Sequence, residues 1–226
     1  MKPMPKTIGL ILIVLSSCGQ FLNNSSQDNI INQKVEVTKE STNEFKLDKT
    51  IINTIKDYYQ TNFGKDSRLE ESISDTMIYM TYYSIPKNDD DYEGFLISIS
   101  IPLNKEQDLF GANSILEGDI NNDGNSDLLI SVHTEGGGGG GNIWSQDIFS
   151  FISENGNYKL ASITPDFEIS GCDGSFRAKE IADNFVLGFS SCYGPDDPRC
   201  CPSEEYDVKV VFESGKLKYR SKSKKN

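Results

Sequence analysis

Asp119, Asn121, Asp123 and Asp127 place side-chain oxygen donors at positions 1, 3, 5 and 9 of the segment D-I-N-N-D-G-N-S-D-L-L-I, Asp119–Ile130. Gly124 stands at position 6, where a sharp turn needs a residue free to take positive φ. Asn125 at position 7 would add its backbone carbonyl. Hard oxygen donors two residues apart, closed by a glycine, suit Ca²⁺. Three carboxylates in so short a loop repel one another unless a cation offsets them. Position 12 is Ile130, so no bidentate Glu completes the set, and weak binding at ~10⁻⁴–10⁻³ M is expected. The competing reading is an Asx-rich turn that binds nothing.

The segments on either side of this loop, Ser114–Glu117 and Leu128–Val132, read as short strands rather than the helices of an EF-hand. The loop therefore resembles the calcium loops of FG-GAP-type, dockerin and other extracellular repeats, with their D-x-[DN]-x-D-G-x-x-D pattern. That resemblance implies a stabilising ion and not an activity. The loop occurs once and no repeat of 20–50 residues is visible, so a multi-blade propeller is not expected.

Residues 1–17 read as a leader. Lys2 and Lys6 give a positive start, and Ile8–Leu15 is an apolar run too short to span a bilayer. It ends in Leu15-Ser16-Ser17-Cys18, which resembles a bacterial lipobox. The resemblance implies acylation of Cys18 and anchoring by two or three acyl chains, enough for stable membrane attachment. Gly19 in place of Asp implies an outer-membrane destination where a second membrane exists. Residues 18–44 are rich in Asn, Gln, Ser and Thr without sustained period, which predicts a flexible tether. The chain carries a net charge of −12, and loss of Lys2 and Lys6 makes it more acidic. Such a protein does not bind nucleic acid through general electrostatics.

Residues 45–220 are one domain's length. Leu47, Ile51, Ile52, Ile55, Tyr58 and Tyr59 recur at helical spacing and predict an amphipathic helix over Asp48–Asn62, stopped at Asn62-Phe63-Gly64. Strands are predicted over Met77–Ile85 and Phe95–Ile101, an acidic turn at Asp89–Asp91, and one helical turn over Asn104–Phe110. Three hairpins follow, across Asn155-Gly156, Asp183-Asn184 and Ser214-Gly215. The expected fold class is α+β, an N-terminal amphipathic helix followed by a mainly antiparallel β meander, stapled by disulfides. Residues 221–226 close the chain as a basic tail, frayed in solvent or drawn to anionic headgroups.

Cys172, Cys192, Cys200 and Cys201 all fall in the last third, and an oxidising compartment makes two disulfides the expectation. Bridging the adjacent Cys200 and Cys201 needs a strained ring. Two pairings remain, both tying Cys172 and Cys192 to the Cys200–Cys201 corner. The segment Asp197-Pro198-Arg199-Cys200-Cys201-Pro202-Ser203 resembles the C-terminus of secreted bacterial lipoproteins of the LppP/LprE type, whose role is not established.

Six glycines, Gly136–Gly141, precede Trp144, the single tryptophan. No Gly-Lys-Ser/Thr follows, so this is not a phosphate loop. Gly136, Gly139, Gly141 and Trp144 form a candidate binding surface, where bare backbone admits close approach beside an aromatic. The single histidine, His133, lacks a G-x-S-x-G elbow to serve, and Glu135 with Asp147 is the best available carboxylate pair. No catalytic motif is present, and an enzyme is not expected. The function expected is a lipid-anchored protein of the bacterial cell envelope. Its Ca²⁺-stabilised domain would bind an unknown protein or glycan, or serve a structural role. The alternatives are a small envelope hydrolase with a cleft at the glycine run, and a secreted interaction or inhibitor module.

Overall fold

The computed structural model describes residues 45–87, 94–105, 108–109, 112–136, 144–165, 167, 169–172, 174, 176–198 and 201–225. The leader, Cys18, the expected tether, the Asp89–Asp91 turn and Cys200 lie outside the described residues. The segment Asn43–Asn226 forms one compact unit.

The helical spacing of the first stretch is realised as α1, Lys49–Phe63. Asp48 caps it, its carboxylate accepting from the Thr50 amide at 2.6 Å, which holds the Asp48 carboxyl below the usual range. Ile51, Ile55 and Tyr59 fall on one face and are buried. Each such side chain removed from water is worth ~1.5–3 kcal/mol.

The strands follow in chain order: β1 Ser67–Ile73, β2 Met77–Ser84, β3 Phe95–Pro102, β4 Asp108–Leu109, β5 Ala112–Asn113, β6 Ile115–Gly118, β7 Asp127–Gly136, β8 Trp144–Glu154, β9 Asn157–Thr164, β10 Arg177–Ala182, β11 Phe185–Cys192, β12 Glu204–Glu213 and β13 Lys216–Lys224. They make a seven-stranded sheet ordered β1-β2-β3-β7-β8-β9, a four-stranded sheet ordered β10-β11-β12-β13, and the small β4–β5 ribbon. Every strand pairing among the named strands is antiparallel. β6 and β3 lie end to end along one side of β7, β6 against Asp127–Ile130 and β3 against His133–Gly136.

The larger sheet has a core on each face. On one side α1 packs against Ile78, Met80, Tyr82, Ile99, Ile130, Val132 and Phe149. On the other, Leu116, Leu129, Ile148 and Ile152 pack with Ala178, Val186, Val208, Val210 and Leu217 of the smaller sheet. The layers are thus helix, sheet, sheet. This overturns the expected α+β division: the fold is mostly β, with one 15-residue helix among the described residues. Two things hid it. The polar stretch S-R-L-E-E-S-I carries no apolar alternation yet forms the edge strand β1. The expected single meander divides into two sheets at the irregular segment between β9 and β10.

The three hairpin turns form where the residues that tolerate left-handed backbone stand. Asn155 and Gly156, Asp183 and Asn184, and Ser214 and Gly215 all have positive φ. Asn104–Phe110 does not form the expected helical turn, since Asp108 and Leu109 are paired to Asn113 and Ala112. The expected basic tail is strand: Lys216–Lys224 is the edge strand β13, paired to β12 along its length. Its lysines meet the acids of β12 and its neighbours. Lys224 bonds Glu204 at 2.8 Å, and Lys225 reaches Glu205 at 3.4 Å.

The cysteines pair differently from either expected arrangement. Cys172 and Cys192 bond to each other, with their Cα atoms 5.1 Å apart. The β10–β11 hairpin explains this, because it returns the end of β11 to the residues just before β10, where Cys172 also lies 3.3 Å from the Ser190 hydroxyl. Cys201 is also disulfide-bonded. The Cys172–Cys192 bridge closes a loop of 20 residues. Replacing both cysteines by alanine is expected to lower unfolding free energy by about 3 kcal/mol, read as a lower urea midpoint.

Candidate functional site

The loop between β6 and β7 begins at Asp119 and ends at Asp127, the first residue of β7. Its turn is made by Asn122 at φ 62° and Gly124 at φ 84°, a conformation glycine adopts without strain. Side-chain oxygens organise the rest. Asp119 accepts from the amides of Asp123 (3.1 Å) and Gly124 (2.9 Å), one on each carboxylate oxygen. Asn121 Oδ1 also accepts from the Asp123 amide, at 3.0 Å. Asp123 accepts from the Asn125 amide at 2.8 Å and from the side-chain amides of Asn121 and Asn125, both at 2.9 Å. Those bonds, that from Asn121 foremost, hold the Asp123 carboxyl below its ordinary range.

Asp127 differs from the others. It is fully buried, and its two oxygens accept from the amides of Ile120 (3.1 Å) and Ser153 (2.8 Å). It ties the start of the loop to the end of β8. Burial pushes its carboxyl above the ordinary value; the two amides pull the other way, and the charges of Asp123 and Asp119 add to the rise.

The donor set fits a hard cation in kind. Each carboxylate oxygen that accepts one amide keeps a second lone pair for a metal. Asp119, Asn121, Asp123, the carbonyl of Asn125 and Asp127 would hold Ca²⁺, which would supply positive charge among three mutually repelling acids. Among the described residues no three His, Cys, Asp or Glu side chains are grouped to hold an ion by themselves.

The other expected site residues are dispersed. Gly136 ends β7 opposite Ile97, and the Trp144 backbone starts β8 opposite Glu135. Gly139 and Gly141, and the Trp144 side chain, lie outside the described residues. Glu135 and Asp147 cannot act as a carboxylate pair, since they lie on opposite faces of the sheet. Asp147 sits opposite Val132, beneath α1, where it accepts from the buried Tyr59 hydroxyl at 2.7 Å. Glu135 faces the other way, beside His133, whose Nε2 lies 3.2 Å from its carboxylate. Burial, aided by the Asp147 charge, drives the Tyr59 hydroxyl far above its ordinary pKa.

One constellation had no motif to announce it. On the face of β1–β2–β3 away from α1 stand Tyr79, Thr81 and Tyr83 of β2 beside Ser100, Ser98 and Phe95 of β3. The signal was the period-two alternation of β2, in which these residues interleave with the buried Ile78, Met80 and Tyr82.

Comparison with protein-family models, with curated proteins and with solved structures returns no match. Among the described residues no helix is long and apolar enough to cross a membrane.

The two kinds of loop acid should separate by mutation. Without calcium, Asp127→Ala leaves two amides without acceptors and is expected to cost about 2–4 kcal/mol in urea unfolding. The exposed Asp123→Ala should cost much less under the same conditions. Tyr59→Phe, which strips one donor from the nearly buried Asp147, is expected to cost about 1.5–3 kcal/mol in the same assay.

Proposed function

We propose that this chain is a lipid-anchored protein of the bacterial cell envelope whose β domain is stabilised by one Ca²⁺ at Asp119–Asp127 and serves as a binding module. The anchor is the acylated Cys18, the domain stands in the periplasm or on the cell surface, and the outer membrane is the destination where one exists. The observation that carries the calcium reading is the loop itself. Asp119 and Asn121 accept from the amides of Asp123 and Gly124 at the left-handed turn, Asp123 accepts from the side chains of Asn121 and Asn125, and the buried Asp127 feels the charges of both other acids. A cation there relieves that repulsion and fastens the β6–β7 connection to β8 through the Ser153 amide. The localisation reading is supported by the leader and by Leu15-Ser16-Ser17-Cys18. The hydrolase alternative loses its carboxylate pair, because Glu135 and Asp147 do not share a face.

The test is thermal unfolding of the mature chain carrying Cys18→Ala, with EDTA and with Ca²⁺. At about 100 times Kd the ion adds about 2.7 kcal/mol, a Tm rise of roughly 5–10 °C for a domain of this size. Asp123→Ala is expected to abolish the rise, and Mg²⁺ to give a smaller one. An unchanged Tm across the millimolar calcium range refutes the ion.

A further inference from the structure

We infer that the outer edge of β1 joins a second copy of this chain, strand to strand and antiparallel about Leu69, so that the larger sheet runs on across a two-fold dimer. The inference depends neither on calcium nor on the lipid anchor.

β1 ends the larger sheet, and among the described residues no strand pairs with its outer side. The phase of its ladder says which backbone groups face outward. Just beyond its two ends, Ile85 donates to the Asp66 carbonyl at 3.2 Å and Ser74 donates to the Met77 carbonyl at 2.9 Å. An antiparallel ladder alternates bonded and non-bonded pairs. Ser67 through Ile73 pair with β2 in unbroken register, so Arg68, Glu70 and Ser72 share the phase of Asp66 and Ser74 and bond toward β2. Ser67, Leu69, Glu71 and Ile73 therefore turn their N–H and C=O groups to the open edge. Natural edges are often blunted by lysine, proline or a bulge. β1 has none of the three. It also leaves Leu69 37% exposed on the α1 side of the sheet, across from the buried Tyr82.

The order of charges along S-R-L-E-E-S-I selects the occupant. Laid antiparallel on itself with Leu69 at the two-fold axis, β1 sets Arg68 opposite the second copy's Glu70, and Glu70 opposite the second copy's Arg68. Within one copy Arg68 already pairs with Glu70 and lies 4.6 Å over the Tyr83 ring, on the face away from α1. The four charges then close a ring of alternating sign. Opposite charges directly across two strands favour the pairing. On the other face the two Leu69 side chains meet at the axis and cover each other. The backbone agrees with this register. Leu69 meets Leu69 and Ser67 meets Glu71, all residues whose N–H and C=O face the edge. Glu71 keeps Lys56 of α1 at 2.6 Å. Moving the axis to Arg68, Glu70 or Glu71 sets like charges face to face, which opposes the pairing. An unrelated strand matches this order of charges only by chance, whereas a second copy carries it by construction. So short a contact falls below the ~1,000 Å² of a stable interface, so the dimer is weak and concentration-dependent.

The experiment is sedimentation velocity of the mature chain carrying Cys18→Ala, from ~10 μM to ~1 mM in low salt. A reversible monomer–dimer equilibrium is expected within that range. Arg68→Glu and Glu70→Arg should each weaken it at least roughly tenfold, because each sets like charges across the axis. An equimolar mixture of the two variants should recover the dimer, since each chain then supplies the charge that the other lacks. Leu69→Pro removes an outward N–H and leaves the bonds to β2 in place, so it should abolish the dimer in a chain whose Tm shows it to be folded. If that variant does not fold, the charge variants and their mixture decide the matter alone. A monomer at every concentration overturns the inference. So does a dimer that both single charge variants leave intact, or one that their mixture fails to recover, because the copies then meet on another surface.

Discussion

Strand β7 is buried on both faces from Asp127 to Thr134, eight consecutive residues. A strand in that position can serve two cores only by sending alternate side chains to each. Leu128, Ile130 and Val132 go to the helix side, while Leu129 goes to the second sheet. A shift of one residue in its pairing would exchange every one of these side chains between the two layers. The ladder with β8, from Leu128↔Phe151 to Glu135↔Trp144, runs without a bulge and fixes that register. The loop acids are part of the same device. Asp127 begins the strand and holds the Ser153 amide of β8, so the polar loop and the packed ladder are pinned at one point.

Polar residues inside this arrangement follow from the same geometry. Asp147 falls on the helix side because Phe149 and Phe151 do, and α1 supplies the Tyr59 hydroxyl it needs. Ser131, His133 and Gln146 fall on the other side and are buried as well. The sheet therefore passes from dry packing at one end to polar surface at the other.

Local chemistry was legible in the sequence and long-range assembly was not. The helix was visible through Ile51, Ile55 and Tyr59, and its end through Gly64. The hairpins were visible because Asn-Gly, Asp-Asn and Ser-Gly are the pairs that accept left-handed backbone. The loop motif gave Gly124 its turn. What no local pattern encodes is which sheet a hairpin joins, so one expected meander became two sheets and the helix became a single covering layer. β1 was missed because an edge strand with one open face and one free edge needs few apolar residues. The disulfide was misassigned because sequence spacing does not reveal that a hairpin returns Cys192 to Cys172. At the loop, the donors could be read but the structural duty of Asp127 could not. Its partners Ile120 and Ser153 offer backbone amides, which any residue has.

The edge strand β13 carries lysine at 216, 218, 222 and 224. Its outer side presents unpaired peptide groups, the template on which a second chain could extend the sheet. Those lysines are held by neighbours: Lys218 lies 3.5 Å from Glu213, Lys224 2.8 Å from Glu204, and Lys222 donates to the Gly171 carbonyl. A second strand arriving there would crowd these pairs and the long lysine stems, so the edge discourages self-templating through the side chains it carries.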